Sequence, residues 1–338
     1  MIKEEHMKRI LVILVVFLLM FFAGCVGAEN GKPAKDTRAQ EDHVKQPQVS
    51  IFITTHFGTK VIADKSLPLK SGASVMDVLG EHFDIETAYG GGFVNGINGI
   101  RSNYTKKLGN ESPKMDWFYY VNGVQASVGC LEYFPRPGDI IWWDYHDWDN
   151  AMFIPAVTGC YPEPFLHGYE HKTKGTLIMY QQGYEAIAEK IAANLEVLGA
   201  KNIELKNFDP GKILNRDMPT MVVGVWDHIG QDANIQKIME NKRKTGIYLD
   251  LSTSEFTALN PEREKVQSFT EHPGAIFATG TGSGDGAPLW IVTGMDNTGL
   301  HSAVEVLTEE RSKIKGSFAV IIEGDQVINV PAVQPVVQ

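Results

Sequence analysis

The sequence predicts two folded parts of different class. Residues 49–148 read as an α+β part, and residues 171–333 as an α/β part with a mainly parallel sheet. Three observations predict them: strand-type patterns crowd the first stretch, Pro155, Pro162 and Pro164 punctuate 149–170, and strands alternate with helices beyond it.

In the first part, strands over 49–54 and 60–63 flank a Phe57-Gly58 turn and form a hairpin. Ser74 caps a short helix whose Val75, Val78 and Leu79 share one face. Strands follow over 93–97, 117–121 and 140–145. Asn122-Gly123 supplies the positive φ angles of a tight turn, and Pro137-Gly138-Asp139 supplies another turn. Residues 149–170 read as an ordered connector. In the second part, strands are expected over 176–180, 202–205, 221–225, 247–251, 275–279, 289–293 and 318–322. One helix carries Ile187, Ile191, Leu195 and Leu198 on one face and stops at Gly199; others span 232–244 and 298–315.

The first 24 residues carry Lys3, Lys8 and Arg9, an apolar run over 10–22, then Ala23 and Gly24 directly before Cys25. That is a lipoprotein signal peptide, because small residues running into a cysteine are what a peptidase acting on an alkylated thiol requires. The apolar run is shorter than the roughly 20 residues a spanning helix needs. Cys25 is therefore expected to carry lipid and to hold the exported chain on the outer face of the cell membrane. Residues 25–48, polar and without apolar period, read as a disordered tether.

Removing residues 1–24 moves the formal charge from −10 to −11. An acidic chain without a basic stretch interleaved with aromatics is a poor nucleic-acid binder. It is also repelled by anionic lipid, so attachment is expected to rest on acyl chains alone. Cys130 and Cys160 remain, either bridged in an oxidising compartment or buried as two thiols.

Several separated motifs agree with one family. Leu69-Lys-Ser-Gly-Ala-Ser-Val-Met-Asp-Val-Leu79, Phe93-Val-Asn-Gly-Ile-Asn-Gly-Ile100 and Asp116-Trp-Phe-Tyr-Tyr-Val-Asn-Gly123 occur in order. Val128-Gly-Cys-Leu-Glu-Tyr133 and Arg136-Pro-Gly-Asp-Ile-Ile-Trp-Trp-Asp-Tyr145 follow them. Together they resemble the transcobalamin-like C-terminal domain family. The resemblance implies a β-grasp-like fold, and cobalamin as a possible ligand rather than a resident cofactor. Phe93, Val94, Asn95 and Asn98 are carried over as ligand contacts from the matching loop. The helical barrel that closes the cleft in cobalamin carriers is absent, since 171–333 is too short for it and carries strands.

Trp117, Tyr119 and Val121 alternate with Phe118 and Tyr120, so this strand presents aromatics on both faces. One set must be core. The other, with Trp142, Trp143, Tyr145, His146 and Trp148, either forms a surface for a flat ligand or packs on the second part. Asp144, His146 and Asp147 have loose metal geometry, and solvated polar residues are the plainer reading; no metal site is expected. Gly280-Thr-Gly-Ser-Gly-Asp-Gly286 lacks the Lys-Ser/Thr of a phosphate loop and reads as a flexible turn. Gly294-Met-Asp-Asn-Thr-Gly299 precedes a helix that Asn297 is expected to cap. No GxSxG, HExxH or Cys–His arrangement marks a catalytic site.

The functional expectation is a membrane-anchored binding or accessory lipoprotein, with a corrinoid ligand and a membrane transporter as partners in uptake. The alternatives are a structural or interaction protein of the cell surface without a small ligand, and an extracellular hydrolase acting through the C-terminal part.

Overall fold

The computed structural model describes residues 46–103 and 114–333. Cys25, the signal segment and nearly all of the tether lie outside them. Gln46–Gln338 forms one compact unit, so the expected parts are not separate bodies. The fold is mixed α and β, built on several sheets.

A five-stranded sheet comes first. Strands β1 (Gln48–Thr55) and β2 (Lys60–Pro68) pair antiparallel. Helix α1 (Val75–His82) follows, capped by Ser74 in a reciprocal box with Asp77; its buried residues are the predicted Val75, Val78 and Leu79. Short strands β3 (Ile85–Ala88), β4 (Phe93–Ile97) and β5 (Ile100–Arg101) make a small separate sheet. Strands β6 (Met115–Val121), β7 (Val124–Gln125) and β8 (Ile140–Asp147) complete the large one in the order β2-β1-β8-β6-β7, with β1 and β8 parallel. Between β6 and β7, Asn122 and Gly123 hold φ of 52° and 78°, the tight turn that the dipeptide predicts.

The second region begins with β9 (Thr176–Tyr180), helix α2 (Glu185–Leu198), which ends on left-handed Gly199, and β10 (Ile203–Asn207). Helix α3 (Gly211–Leu214), β11 (Thr220–Val225) and helices α4 (Trp226–Ile229), α5 (Ala233–Glu240) and α6 (Lys242–Thr245) follow. Strands β12 (Leu249–Leu251), β13 (Phe256–Leu259) and β14 (Lys265–Phe269) form their own antiparallel sheet. The chain closes with β15 (Gly274–Thr279), β16 (Leu289–Gly294), helix α7 (Asn297–Thr308), β17 (Ala319–Glu323) and β18 (Gln326–Val330).

The main sheet here has the order β10-β9-β11-β16-β15-β17-β18. Its first four strands are parallel, whereas β15, β17 and β18 pair antiparallel, so the sheet is mixed. The reason is connection length: β15 reaches β16 through a glycine-rich loop with no crossover helix, and such a link turns the strand back on its neighbour. The 247–251 strand belongs to the small sheet instead. Asp296, not Asn297, caps α7 by accepting the Gly299 N–H.

The connector is core. Ala151, Ile154, Ala156, Val157, Cys160 and Phe165 are buried. A single hydrophobic cluster runs from Phe52, Tyr120 and Trp142 of the first sheet through Val157 and Cys160 to Tyr248, Phe277 and Phe318. Glycines let the backbones meet along this seam. A Cβ on Gly58 would sit 1.7 Å from the Gly316 carbonyl oxygen, and one on Gly159 would sit 2.5 Å from the Gly316 nitrogen.

Candidate functional site

The five-stranded sheet sorts its aromatics by strand alternation. One face carries Trp117, Tyr119, Trp143 and Tyr145 with Val49, Ile51 and Ile53, and packs under α1 with Val94, Ile97, Cys130 and Tyr133. Tyr119 and Trp143 stack with centroids 4.8 Å apart. The other face carries Phe52, Tyr120 and Trp142 and is sealed by the second region. Phe318 meets Phe57, Tyr120, Trp142 and His146 edge-on at 5.1–5.7 Å. Neither face is an open surface, so Trp117, Tyr119, Trp142, Trp143 and Tyr145 are core. Of the two readings of the aromatics, the structure has packing, and a corrin ring finds no opening between these strands. Trp148 is partly exposed at the strand end, its Nε1 donating to Asp116 at 2.8 Å.

At the seam's centre Asp144 is fully buried. Its carboxylate accepts from Thr54 Oγ1 (2.5 Å), from the N–H groups of Phe57 (3.0 Å) and Gly58 (2.9 Å), and pairs with His146 Nδ1 (2.8 Å). His56, Phe57 and Gly58 all have positive φ, a left-handed turn that aims the Phe57 and Gly58 N–H groups at the carboxylate while the His56 N–H donates to the Tyr145 carbonyl. Phe57 and Phe118 sandwich the His146 ring, each at 4.6 Å. With His146 1% and Asp144 0% exposed, the pair is not solvated and has no open face for a cation or substrate. Among the described residues, no group of three or more His, Cys, Asp or Glu is placed to hold a metal ion.

Sequence reading missed a second polar cluster, where the connector meets the start of β8. Glu163 Oε1 lies 2.5 Å from His167 Nδ1, Asp139 Oδ1 lies 2.7 Å from His171 Nε2, and the two rings stack at 4.5 Å. Asn122 Nδ2 donates to Asp139 and to the Gly168 carbonyl. The hydrogen bond that His167 donates to Glu163 raises the His167 pKa above the ordinary 6.5, against a smaller opposing effect of burial. A raised folded value means the pair's stabilisation is complete below pH 6.5 and is lost as pH rises through the folded value. The urea midpoint of the native chain should exceed that of His167→Gln by most in mild acid, and the gap should shrink on going to alkaline pH. A gap that is constant with pH rules this coupling out. Glu163 and Asp144 sit in different networks.

Cys130 and Cys160 are free and buried, in different clusters, so the bridge is not formed. Burial pushes their thiols up to about 11 and about 12. Folded protein should resist thiol reagents at about pH 8 and react only on unfolding, because thiolate is the reactive form. Fast labelling of either residue in the folded state contradicts that placement.

The glycine-rich loop is docked, not free. Gly284 N–H donates to the Gln125 carbonyl at 2.7 Å, and a Cβ there would collide with Ser127. Asp285 caps the loop and faces Arg216 in a buried ion pair at 3.5 Å.

Exposed apolar side chains in the first region include Val61 and Phe134, and one group of them lies at the loop before β4. Tyr89 is 77% exposed and Leu131 42%, with Phe93 half-buried and edge-on to Tyr89 at 6.0 Å. Gly91 brings this loop beside Leu131, where a Cβ would sit 3.8 Å from its Cδ1. Of the residues carried over to the loop, Phe93 is at its surface and Val94 is core. Asn95 is partly buried, and Asn98 sits exposed in a left-handed turn accepting the Asp84 N–H.

Residues 72–147 match a family described as a domain of unknown function, DUF4430. No curated protein matches. Among 27 matching solved chains is one from Ruminococcus gnavus described as a "putative metal binding protein". It is 13% identical, the alignment covers 30% of this chain and 98% of that one, and the TM-score is 0.23. The stretch from α1 to β8 is thus similar to the DUF4430 domain family.

Proposed function

We propose that the chain is an extracytoplasmic binding or accessory protein, held on the outer face of the cell membrane by lipid on Cys25, that works through surface contact with a macromolecular partner. The observation that carries this reading is the contrast between the closed aromatic sheet and the exposed Tyr89–Phe93–Leu131 surface. A β-grasp-like assignment for the first region fits its hairpin, its helix and the parallel β1–β8 pairing. Contact rather than turnover is favoured because the Asp144–His146 pair is sealed from any substrate.

A photo-crosslinking side chain at position 89 should capture a defined envelope component in cells. The same group at Val197, 87% exposed on α2, should not. Equal capture from both positions would remove the loop from the account. Cys25→Ser should release the chain from the membrane fraction. Cyanocobalamin up to about 100 μM, equivalent to roughly 5.5 kcal/mol, should give no saturable tryptophan quenching. Saturable quenching would restore the corrinoid reading, with the Tyr89–Phe93 loop as its site.

A further inference from the structure

The consecutive cations Lys242, Arg243 and Lys244 are joined by Arg263 through the fold around one concavity of about 470 Å³. Lys242, Arg243 and Lys244 of α6 line it with Arg263, and its carboxylates are Glu240 and Asp250. Asp250 is already committed to an ion pair with Lys242. Arg263 is fixed in place, donating to the carbonyls of Ile247 and Lys242 at 2.9 Å and of Asn150 at 3.3 Å, with its guanidinium over the Tyr248 ring. Lys244 is exposed. The site is thus cationic within a chain whose formal charge is −10.

An apolar element adjoins it. Asn150 is held by Arg263 and by Arg243, which reaches its Oδ1 at 3.3 Å, while Ile154 is buried against Gly246 directly after α6. Between these fixed ends, Met152 and Phe153 stand 52% and 49% exposed. Basic side chains beside exposed aromatic and thioether side chains suit a membrane surface: the charges attract anionic headgroups, and the apolar groups settle at the headgroup–acyl boundary.

We propose that this face docks on anionic phospholipid, with a headgroup phosphate in the Lys242–Lys244 concavity and with Met152 and Phe153 inserted beside it. A soluble anion would give the apolar pair no role, which is why the lipid is favoured. Such docking reverses the expectation that the acidic chain is repelled everywhere by anionic lipid. The 21 residues from Cys25 to Lys45 can span at most about 70 Å, enough for a body of this size to lie on the bilayer that holds the anchor. The site does not depend on the anchor, and its test omits Cys25, so failure here and failure of lipidation are separate results.

The test uses polypeptide 46–338, whose hydrophobic clusters are all internal to it, in sedimentation with vesicles of phosphatidylglycerol and phosphatidylcholine or of phosphatidylcholine alone. Binding is expected only to the anionic vesicles and should fall with salt. Arg243→Gln with Lys244→Gln should lower partition about 25-fold, as two lost surface cations imply. Met152→Ser with Phe153→Ser should also lower it. Lys190→Gln with Lys206→Gln, the same charge change elsewhere, should leave it unaltered. The proposal is overturned by absence of binding, by equal binding to both vesicles, or by equal loss in the Lys190/Lys206 control. It is also overturned if inorganic phosphate binds and the Met152/Phe153 variant partitions like the native chain, which would assign the concavity to a soluble anion.

Discussion

Replacing Asp144 with Ala should lower the unfolding free energy of residues 46–338 by about 4 kcal/mol. The carboxylate is 0% exposed and serves Thr54, Phe57, Gly58 and His146 together. The Thr54 hydroxyl can rotate to the Trp143 carbonyl, and a histidine can change tautomer. The Phe57 and Gly58 N–H groups have no such freedom, and a buried donor left unpaired costs about 1–3 kcal/mol. The left-handed turn at His56–Gly58 also loses the anion on which the Phe57 and Gly58 N–H groups converge. Such a loss is a large fraction of the 5–15 kcal/mol typical of a domain. Urea unfolding should show the midpoint falling with little change in slope. A loss below about 1 kcal/mol would mean that water replaces the carboxylate, and that the seam is wetter than its burial indicates.

The second large effect is expected from Phe318→Ala. This ring belongs to the C-terminal region by sequence, yet its aromatic neighbours Phe57, Tyr120, Trp142 and His146 all belong to the first. Truncating a buried Phe to Ala costs about 3–5 kcal/mol, part transfer and part cavity. For a unit of this size that corresponds to roughly 5–8 °C in calorimetric midpoint. A shift of only a degree or two would show that the regions touch without supporting each other.

Local rules made much of the fold legible. Ser74 with Asp77, Asn122-Gly123 and Gly199 act through their immediate neighbours, and each does what its residue type predicts. Non-local pairing was not legible. The strands β6 and β8 present aromatics on both faces, so the pattern cannot say which set faces a ligand and which faces protein. That was decided by Phe318 and Tyr248, far along the chain. Strand direction at β15 likewise depended on a loop too short for a crossover, in a stretch that otherwise alternates like a parallel sheet. Alternation did place Asp144 and His146 on one face. It could not show that the turn at 56–58 would offer its N–H groups there, which makes a buried structural pair out of what reads as solvated side chains. The cationic concavity was hidden for the same reason: Arg263 and the Met152-Phe153 pair reach α6 only through the fold.

The seam joins both sheets into one unit and thereby closes the aromatic faces to ligand. Native-state hydrogen exchange of the Phe318→Ala chain tests it most directly. Amides of β6 and β8 should lose protection by the same free energy as those of β11 and β16, because both open in a single cooperative step. If β9, β11 and β16 lose protection while β1, β6 and β8 keep that of the native chain, the regions are independent and the claim fails.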